Sequence, residues 1–399
     1  MVIDNVQNDA ILVWQHMYKR AIEPFLENYL QGSENRILFI WGQRRSGKTT
    51  LLEKISTEQH VPIFNFYSLT DRERFVPRKE VLAQLAAEHK LILIDEVQNY
   101  PEGTVALKLL HDEFHIKIIA TGSSELRQKS NDFDSLADRF IEQYCLPLSI
   151  YEIASNTNVL AYEKNNFEKE IQTKLQIFGA YPEIYTTQTL TDDEKVEKLQ
   201  KILDTYILKD VINIYDLKNE KLAKDILTKI ALQLGSEVSI REIAADLGAN
   251  KTTVANYIEI FIKNYILIPL TSFKTNIRKA VSEHRKLYFY DLGIRNILVK
   301  DFRDLSLRPD KGGLFENFII IELEKLRKIN TIHQTMYFYR EYGGKEIDVV
   351  LEDYKKNYIC LELKLDKNSG NKDIFPLTHK FITINKHDYF EKLSNLTNL

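Results

Sequence analysis

The stretch Ile37-Leu38-Phe39-Ile40-Trp41-Gly42-Gln43-Arg44-Arg45-Ser46-Gly47-Lys48-Thr49 decides the fold of the first part of the chain. Its first five residues form an apolar run of strand length, and the next eight match G-x-x-x-x-G-K-[ST] at every fixed position. Glycines at both ends of this pattern let the backbone curl so that successive N–H groups point at phosphate oxygens. The helix expected to begin near Lys48 adds the positive end of its dipole. The stretch therefore predicts a phosphate-binding loop between a strand and a helix.

This loop predicts a nucleotide site with ATP and Mg²⁺ as its cofactors. Lys48 is expected to reach the β- and γ-phosphates, and the Thr49 hydroxyl is expected to bind Mg²⁺. The other predicted nucleotide contacts come from the loop and the start of the helix: Gly42, Gln43, Arg44, Arg45, Ser46, Gly47 and Thr50. The alternative is a glycine-containing turn with a surface lysine, which the apolar strand before the loop and the helical segment after it disfavour.

Further along the chain, residues 36–146 alternate strand-like and helix-like segments. The apolar runs are Ile37–Trp41, Val61–Tyr67, Leu91–Ile94, Ile116–Ala120 and Phe140–Leu146. The helix-like stretches lie near residues 48–57, 78–88, 104–113 and 123–129. Alternation of this kind predicts an α/β domain with a mainly parallel sheet.

Two acidic residues, Asp95 and Glu96, follow the apolar run Leu91–Ile94. Fully apolar strands belong in the middle of parallel sheets, and functional residues of such sheets lie at the carboxyl ends of the strands. Asp95 is therefore expected to orient Mg²⁺ through water, and Glu96 to be the base that polarises the attacking water. The alternative is a strand that ends in two solvated acids, which the phosphate loop upstream disfavours.

Two further positions stay open. The run Thr121-Gly122-Ser123-Ser124 offers a polar side chain that senses the γ-phosphate or positions water, or else an ordinary helix N-cap. Arg139 lies just before the last apolar run of this part. It is a candidate catalytic arginine finger for a neighbouring subunit, and a surface salt bridge is the equal alternative.

Length and composition limit the remaining possibilities. The 399 residues suggest two to four domains, and 54 basic against 57 acidic residues give a net charge of −3, which excludes a uniformly basic nucleic-acid binder. Cys145 and Cys360 are too few for a disulfide framework. Without an apolar run of about 18 residues or a leader-like start, we expect a cytoplasmic protein with no membrane partner.

Taken together, these motifs resemble the AAA-type P-loop ATPases of bacteria and archaea that carry a C-terminal domain of unknown function. The resemblance spans about Lys19 to Leu365 and rests on GQRRSGKTTLL, LILIDEVQ, ATGSSELR, LADRF, LPLSIYE, FGAYPEIY, YFYDLGIRN and FENF. One departure is Asp138, where a glycine is expected before the arginine. In that family the C-terminal part is similar to the restriction-endonuclease fold. Assembly into homo-oligomers is likewise implied by the resemblance.

Residues 236–290 are typical of a helix-turn-helix with a following wing. Val238–Gly248 and Asn250–Ile258 give the two helices, and Tyr265–Leu270 and Lys286–Tyr290 give two short strands. The side chains expected to face a major groove are Lys251, Thr252, Thr253 and Asn256. The basic residues expected near phosphates are Lys274, Arg278, Lys279, His284 and Arg285. DNA is therefore a candidate partner, and packing or subunit contact is the alternative use of the same helices.

The final part carries an acid–acid–lysine constellation. Glu316 lies on a predicted helix over residues 314–327, Asp348 in the strand-like Glu346–Leu351, and Glu362 and Lys364 in the strand-like run that starts at Tyr358, followed by a tail. This order resembles the metal-nuclease pattern of the restriction-endonuclease fold. Asp348 and Glu362 would hold Mg²⁺, Glu316 would join through the metal or a bound water, and Lys364 would help activate water or stabilise phosphoryl charge. Solvated strand ends with a helix salt bridge are the alternative.

The expected fold class is α/β: a P-loop NTPase (AAA-type) parallel-sheet domain, a helical and winged-helix region, and a C-terminal restriction-endonuclease-like domain. The expected boundaries are an N-terminal helical segment at 1–35, the ATPase core at 36–155, a helical connector at 156–235, the winged-helix region at 236–290 and the nuclease-like domain at 291–399. The expected function is ATP hydrolysis coupled to a C-terminal half that acts on nucleic acid. The alternative is an ATP-controlled switch that recruits partner proteins through a non-catalytic C-terminal domain.

Overall fold

The computed structural model describes residues 18–122, 136–210, 219–274, 285–330, 332, 334–341, 344–366 and 374–396. The chain divides into two compact units, Met1–Asn158 and Val159–Leu399. In these described ranges, no helix is long and apolar enough to cross a membrane. Four groups of residues from the sequence predictions lie outside the described ranges: residues 1–17 of the expected N-terminal helical segment, Ser123 and Ser124, the helix expected near 123–129, and Arg278, Lys279 and His284 of the basic segment.

The first unit alternates strands and helices as the sequence predicts. Its elements, numbered in chain order, are α1 (Glu23–Gln31), β1 (Ile37–Trp41), α2 (Lys48–Gln59), β2 (Ile63–Asn65), α3 (Leu69–Glu73), α4 (Lys79–Glu88), β3 (Leu91–Asp95), α5 (Gly103–Phe114), β4 (Lys117–Gly122), β5 (Phe140–Tyr144) and α6 (Ile150–Ser155). A short 3₁₀ turn over Val97–Asn99 follows β3. Each of the five predicted apolar runs overlaps one strand of this unit.

The sheet of this unit places the predicted site residues at one edge. Its strand order is β2-β3-β4-β1-β5, and every pair is parallel. Both β1 and β3 are buried along their whole length, as their apolar sequences predict. The phosphate loop follows β1 and Asp95 ends β3, so both lie at the carboxyl edge of the sheet. The prediction of a parallel α/β domain is confirmed.

The second unit begins with helices and ends in a mixed sheet. Its helical elements are α7 (Lys164–Phe178), α8 (Pro182–Tyr185), α9 (Asp192–Lys201), a π-helical segment (Ile202–Asp210), α10 (Glu220–Leu232), α11 (Ile240–Asp246) and α12 (Lys251–Lys263). After them come β6 (Leu267–Ser272), β7 (Arg285–Phe289), α13 (Leu292–Val299), α14 (Lys311–Ile329), β8 (Gln334–Arg340), β9 (Glu346–Asp353), β10 (Tyr358–Lys364), β11 (Lys380–Asn385) and α15 (Tyr389–Leu396).

The helix-turn-helix pattern corresponds to two real helices. The side chains of Ser239 and Asn250 cap α11 and α12 by accepting hydrogen bonds from backbone N–H groups of the first turn. Between the helices, Gly248 takes a left-handed φ of 61° with open space around it, which suits glycine in a tight turn. Whether these helices contact DNA stays a prediction.

The two strands expected as a wing belong to a larger sheet. They pair with each other in antiparallel fashion, but β6 also pairs with β8 in parallel, giving the six-stranded order β11-β10-β9-β8-β6-β7. One sheet therefore runs across the boundary expected at 290/291. The segment expected to be a C-terminal tail contains β11, which pairs in parallel with β10, and α15. The expectation of a tail was wrong. The apolar residues of this short segment do not alternate clearly with polar residues, so the pattern alone does not predict a strand.

Candidate nucleotide site and C-terminal acidic cluster

The phosphate loop has the backbone geometry that its sequence predicts. Arg45 and Gly47 take left-handed φ values of 64° and 98°, and α2 begins directly after Gly47. Gly42 is required sterically, because a Cβ there would lie 1.9 Å from the carbonyl oxygen of Cys145. The Ser46 hydroxyl donates to the carbonyls of Gln43 and Cys145 at 2.8 and 2.6 Å. The loop therefore forms a cradle that is stabilised by hydrogen bonds within the loop and by hydrogen bonds to the residues that follow β5.

Lys48 lies inside this cradle. Its side-chain Nζ donates to the carbonyl oxygens of Gly42 at 3.0 Å and Gln43 at 2.6 Å. Burial lowers the pKa of the Lys48 ammonium, and the nearby carboxylates of Glu96 and Asp95 oppose that effect. In these contacts the buried Lys48 ammonium is held by carbonyl oxygens of the loop. This arrangement suits a group that would leave those carbonyls and bind phosphate oxygens instead.

Asp95 joins the loop to the sheet edge. The Thr49 hydroxyl donates to Asp95 Oδ2 at 2.9 Å, and the Thr121 hydroxyl donates to Oδ1 of the same carboxylate. The backbone N–H of Glu96 adds a third bond at 3.1 Å, and Asp95 is only 3% exposed. The structure thus brings together the two predicted magnesium residues, and their hydroxyl and carboxylate oxygens fit a hard cation. Thr121, from the run with two open interpretations, belongs to this network.

Glu96 is placed by an unusual backbone conformation. Its φ of 57° is in the left-handed region, which costs a non-glycine residue about 1–3 kcal/mol. Its carboxylate accepts a hydrogen bond from the side-chain amide of Gln98, a buried residue of the 3₁₀ turn. No role is predicted for Gln98 from the sequence, yet its side-chain amide orients the predicted base from two residues along the chain.

Arg20 is a second residue that the sequence analysis missed. Its guanidinium donates to the carbonyls of Ser46 at 2.7 Å and Leu146 at 2.5 Å, and its Nε lies 2.9 Å from Glu152 Oε1. Burial lowers the pKa of Arg20, but the charges of Cys145 and Glu152 outweigh burial and raise it overall. Arg20 therefore ties the phosphate loop to the chain after β5. A lone arginine before the first strand carries no sequence pattern that would reveal this role.

Arg139 forms a surface ion pair within its own unit. Its Nε lies 2.8 and 2.9 Å from the two carboxylate oxygens of Asp112, and both side chains are 33% exposed. This geometry matches the salt-bridge alternative, and the arginine-finger role stays a prediction. The preceding Asp138 has a φ of 67°, so the departure from the expected glycine falls at a left-handed position, which aspartate tolerates better than most residues.

The C-terminal constellation gathers on one side of the second sheet. Glu316 lies on α14, which packs against β10 and β7, while Asp348 lies on β9 and Glu362 on β10. Burial, and then the charges of Glu316 and Glu362, raise the pKa of Asp348 from 3.8 to about 7. Lys364 Nζ lies 2.5 Å from Glu362 Oε1. The four predicted residues are therefore neighbours.

A lysine that the sequence analysis assigned to a wing strand enters this cluster. Lys286 Nζ lies 3.2 Å from Glu316 Oε1 and forms a second ion pair with Glu346. The Tyr288 hydroxyl donates to the same Glu316 oxygen at 2.5 Å. Burial lowers the pKa of Lys286, but the two carboxylates reverse that effect and raise it. The cluster therefore contains its own buried cation.

The fit of this cluster to a metal ion is partial. Glu362 Oε2 is buried without a hydrogen-bond partner among the described residues, as expected for an oxygen that awaits a cation. In the same described part of the chain, however, no three His, Cys, Asp or Glu side chains are gathered closely enough to hold a metal. In place of a metal ion, Lys286 supplies part of the positive charge that compensates the carboxylates of this cluster.

Comparisons with known protein families agree with the geometry of the first unit. Residues 34–154 match the model of an AAA domain. Residues 169–306 and 311–390 match two models described as domains of unknown function, DUF8612 and DUF4143. The parallel sheet, the phosphate loop and the AAA match together support an α/β P-loop ATPase domain in the first unit.

Proteins that align with most of the chain have low sequence identity to it. An uncharacterized protein of Methanocaldococcus jannaschii, MJ1544, is 28% identical over 360 residues, which cover 85% of this chain and 77% of the relative. An uncharacterized protein of Haemophilus influenzae is 22% identical over 321 residues, covering 74% of this chain and 78% of the relative. The Holliday junction branch migration motor RuvB of Thermotoga maritima aligns over 61% of this chain and 85% of its own, with 15% identity and a TM-score of 0.28. A superposition at that score does not establish a shared fold.

Proposed function

We propose that the protein hydrolyses ATP at the loop Gly42–Thr49. The observation that carries this proposal is the hydrogen-bonded unit at the sheet edge. There Asp95 holds the hydroxyls of Thr49 and Thr121, and Glu96 follows directly with its carboxylate held by Gln98. The residues proposed as the phosphate cradle, the cation-binding pair and the base are thus neighbours in the first unit.

Each of these residues has a distinct role in the proposed reaction. Lys48 and the loop N–H groups bind the phosphates, while Thr49 and Asp95 would hold Mg²⁺. Bound Mg²⁺ supplies positive charge against the phosphate oxygens. Glu96 takes a proton from the attacking water, and general-base catalysis of this kind is worth about 10²–10⁴ in rate. Arg44, Arg45, Ser46 and Thr50 complete the proposed binding loop.

The test is a comparison of ATP binding with ATP turnover. Glu96→Gln should bind ATP about as well as the wild type and lose about 10²–10⁴ of its turnover, whereas Lys48→Ala should lose binding. The exposed Glu102 at the start of α5 offers a matched control, because Glu102→Gln changes an acid to an amide outside the network. Full hydrolysis by Glu96→Gln would refute the role of Glu96.

We further propose that the nucleotide state controls the C-terminal half. Turnover stimulated by duplex DNA, single-stranded DNA or RNA would support coupling to nucleic acid. Slow turnover with oligomers that differ between ADP and a non-hydrolysable ATP analogue, measured by light scattering, would support the regulatory switch instead. The same scattering experiment tests homo-oligomer formation, and with it a role of Arg139 toward a neighbouring subunit.

DNA contact by the helix-turn-helix is part of the same proposal. Lys251, Thr252 and Asn256 are exposed on α12, as a recognition helix requires. Contacts with phosphates make affinity fall steeply with salt. A titration with duplex DNA at two salt concentrations tests this contact, and absence of binding at low salt would exclude it.

The acidic cluster gives a second candidate function, metal-dependent cleavage of phosphodiesters in a restriction-endonuclease-like domain. The buried Glu362 Oε2, which has no hydrogen-bond partner in the described part of the chain, favours this function. Asp348 and Glu362 would hold the metal and Glu316 would join through it or through a bound water, which requires the acids to come closer together than they are among the described residues, while Lys364 would stabilise phosphoryl charge. Incubation of supercoiled plasmid with Mg²⁺ or Mn²⁺, with and without ATP, should give nicking that Lys364→Ala removes and the exposed Lys355→Ala retains. Nicking that persists in Lys364→Ala would refute the assignment.

A further inference from the structure

A cavity of about 680 Å³ lies within the second unit, apart from the acidic cluster residues. It is bounded by α7, the 3₁₀ turn Leu305–Leu307, the first residue of α14, and the residues directly after β10 and β11. This volume is within the range of about 300–1,000 Å³ that is usual for small-molecule sites. The cavity is therefore large enough for a ligand of the size of a nucleotide.

The inner wall of the cavity carries an unsatisfied amide. Gln176 on α7 is 1% exposed, and neither its Nε2 nor its Oε1 has a hydrogen-bond partner among the described residues. An orphaned buried polar group costs about 1–3 kcal/mol. The backbone at this point is fixed, because the Asn296 side chain donates to the carbonyls of Gln176 and Ile177, both at 2.8 Å. The amide thus offers one donor and one acceptor to whatever occupies the cavity.

The other end of the cavity has an excess of positive charge. Lys386 Nζ lies 2.5 Å from Asp366 Oδ1, and the hydrogen bond and charge of Lys386 lower the pKa of Asp366, with further lowering by the charges of Lys311 and His387. One carboxylate therefore faces three basic groups. Lys311 is also the first residue of α14, a 19-residue helix whose amino-terminal dipole favours an anion.

The remaining acids that line the cavity have cations of their own. Lys164 Nζ lies 3.8 Å from Glu168 Oε1, and the charge of Lys169 lowers the pKa of Asp304. These pairs leave two lysines, Lys311 and Lys386, against the single carboxylate of Asp366 at the other end. The cavity therefore combines an anion-binding end with a buried amide.

We propose that this cavity binds a nucleoside monophosphate, with the phosphate against Lys311, Lys386 and His387 and the edge of the base against the Gln176 amide. The edge of a nucleobase presents adjacent donors and acceptors, and these can pair with the N–H and C=O groups of the Gln176 amide, which have no partner among the described residues. The site lies in the second unit and is separate from the phosphate loop, so it does not depend on ATP hydrolysis.

The test must separate this site from the phosphate loop. In a Lys48→Ala background, which removes the loop as a nucleotide site, calorimetric titration with AMP, CMP, GMP and UMP should show one-to-one binding of at least one of them. Gln176→Leu should weaken that binding tenfold or more, because the base edge loses both partners. Lys386→Gln should weaken it through the phosphate, and the exposed Gln188→Leu should leave it unchanged.

One further ligand, which lacks a base, tests whether the two ends of the cavity bind different parts of the nucleotide. Ribose 5-phosphate lacks the base and should bind more weakly than the nucleotide, with an affinity that does not respond to Gln176→Leu. Because Leu nearly preserves the shape of the side chain and removes two unsatisfied atoms, Gln176→Leu should melt no lower than the background protein. If no monophosphate binds at millimolar concentration, or if neither Gln176→Leu nor Lys386→Gln changes the affinity, the proposal is overturned.

Discussion

Lys286 is the residue on which the charge balance of the acidic cluster depends. Its side chain is 3% exposed, its Nζ lies 3.2 Å from Glu316 Oε1, and it also pairs with Glu346. At 3.2 Å and an effective dielectric constant of about 20, one such pair interacts with about 5 kcal/mol. Lys286→Met keeps most of the side-chain length and removes the charge. Because carboxylates then stay buried without compensation, the second unit should lose about 3–5 kcal/mol of stability.

The assay uses the distribution of tryptophan in the chain. Trp41 is buried on β1 of the first unit, so in a Trp14→Phe background its fluorescence reports that unit and not the second. In urea, Lys286→Met should shift the far-ultraviolet circular-dichroism transition of the full chain and leave the tryptophan transition in place. The exposed Lys355→Met is the matched control. The double variant Lys286→Met with Glu316→Gln should recover part of the loss, because one buried charge is removed with its partner.

Two outcomes would refute this reasoning. A loss below about 1 kcal/mol in Lys286→Met would mean that the carboxylates are compensated by other groups or by solvent. Strict additivity of Lys286→Met and Glu316→Gln would mean that the two side chains do not interact despite their separation of 3.2 Å. If instead Mg²⁺ or Mn²⁺ restores stability to Lys286→Met and not to the wild type, the cation has entered the position that the lysine holds.

Three further predictions concern backbone, charge and pH. Gly42→Ala should abolish nucleotide binding because its Cβ would lie 1.9 Å from a carbonyl oxygen, whereas Gly312→Ala has nothing within 4 Å and should fold normally; equal nucleotide affinity in a fluorescence titration would contradict this. Arg20→Lys should weaken ATP binding about tenfold by losing loop carbonyl contacts, while the exposed Arg36→Lys should not; unchanged affinity would exclude the bracing role. Burial raises the pKa of Asp291 from 3.8 to about 6, so its contribution to stability is full below about pH 4 and is lost as the pH rises to 6, about 3 kcal/mol in all. Asp291→Asn should reduce that fall by a similar amount in urea unfolding at pH 4 and 6.5; equal falls in both proteins would contradict it.

The first unit could be predicted from the sequence because its determinants are local. The phosphate loop is eight consecutive residues, and Asp95 and Glu96 directly follow a fully apolar strand. In a parallel sheet, the carboxyl ends of strands meet at one edge, so Thr49 and Asp95 had to come close although they are 46 residues apart. A site that is defined by a short sequence pattern and by one rule of sheet topology can therefore be predicted from a single sequence.

In the second unit, the residues that meet in the acidic cluster could not be predicted from local sequence patterns. The sequence pattern places Lys286 in a wing, and only the parallel pairing of β6 with β8 brings that hairpin into the sheet that carries Asp348 and Glu362. A strand's own pattern shows which face is buried, but it does not show which strand lies beside it. The same limit hid β11, whose parallel pairing with β10 crosses a connection of 15 residues, Leu365–His379.

The residues that hold the phosphate loop in place extend beyond the segment that matches the AAA domain model, as Arg20 shows. The match to the AAA domain begins at residue 34, whereas the guanidinium that holds the Ser46 carbonyl comes from residue 20. A planar fork with five N–H groups reaches two backbone carbonyls and one carboxylate at once, and lysine cannot reproduce that geometry. The loop sequence therefore specifies the contacts proposed for phosphate, while Arg20, from the segment before the first strand, holds the loop in place.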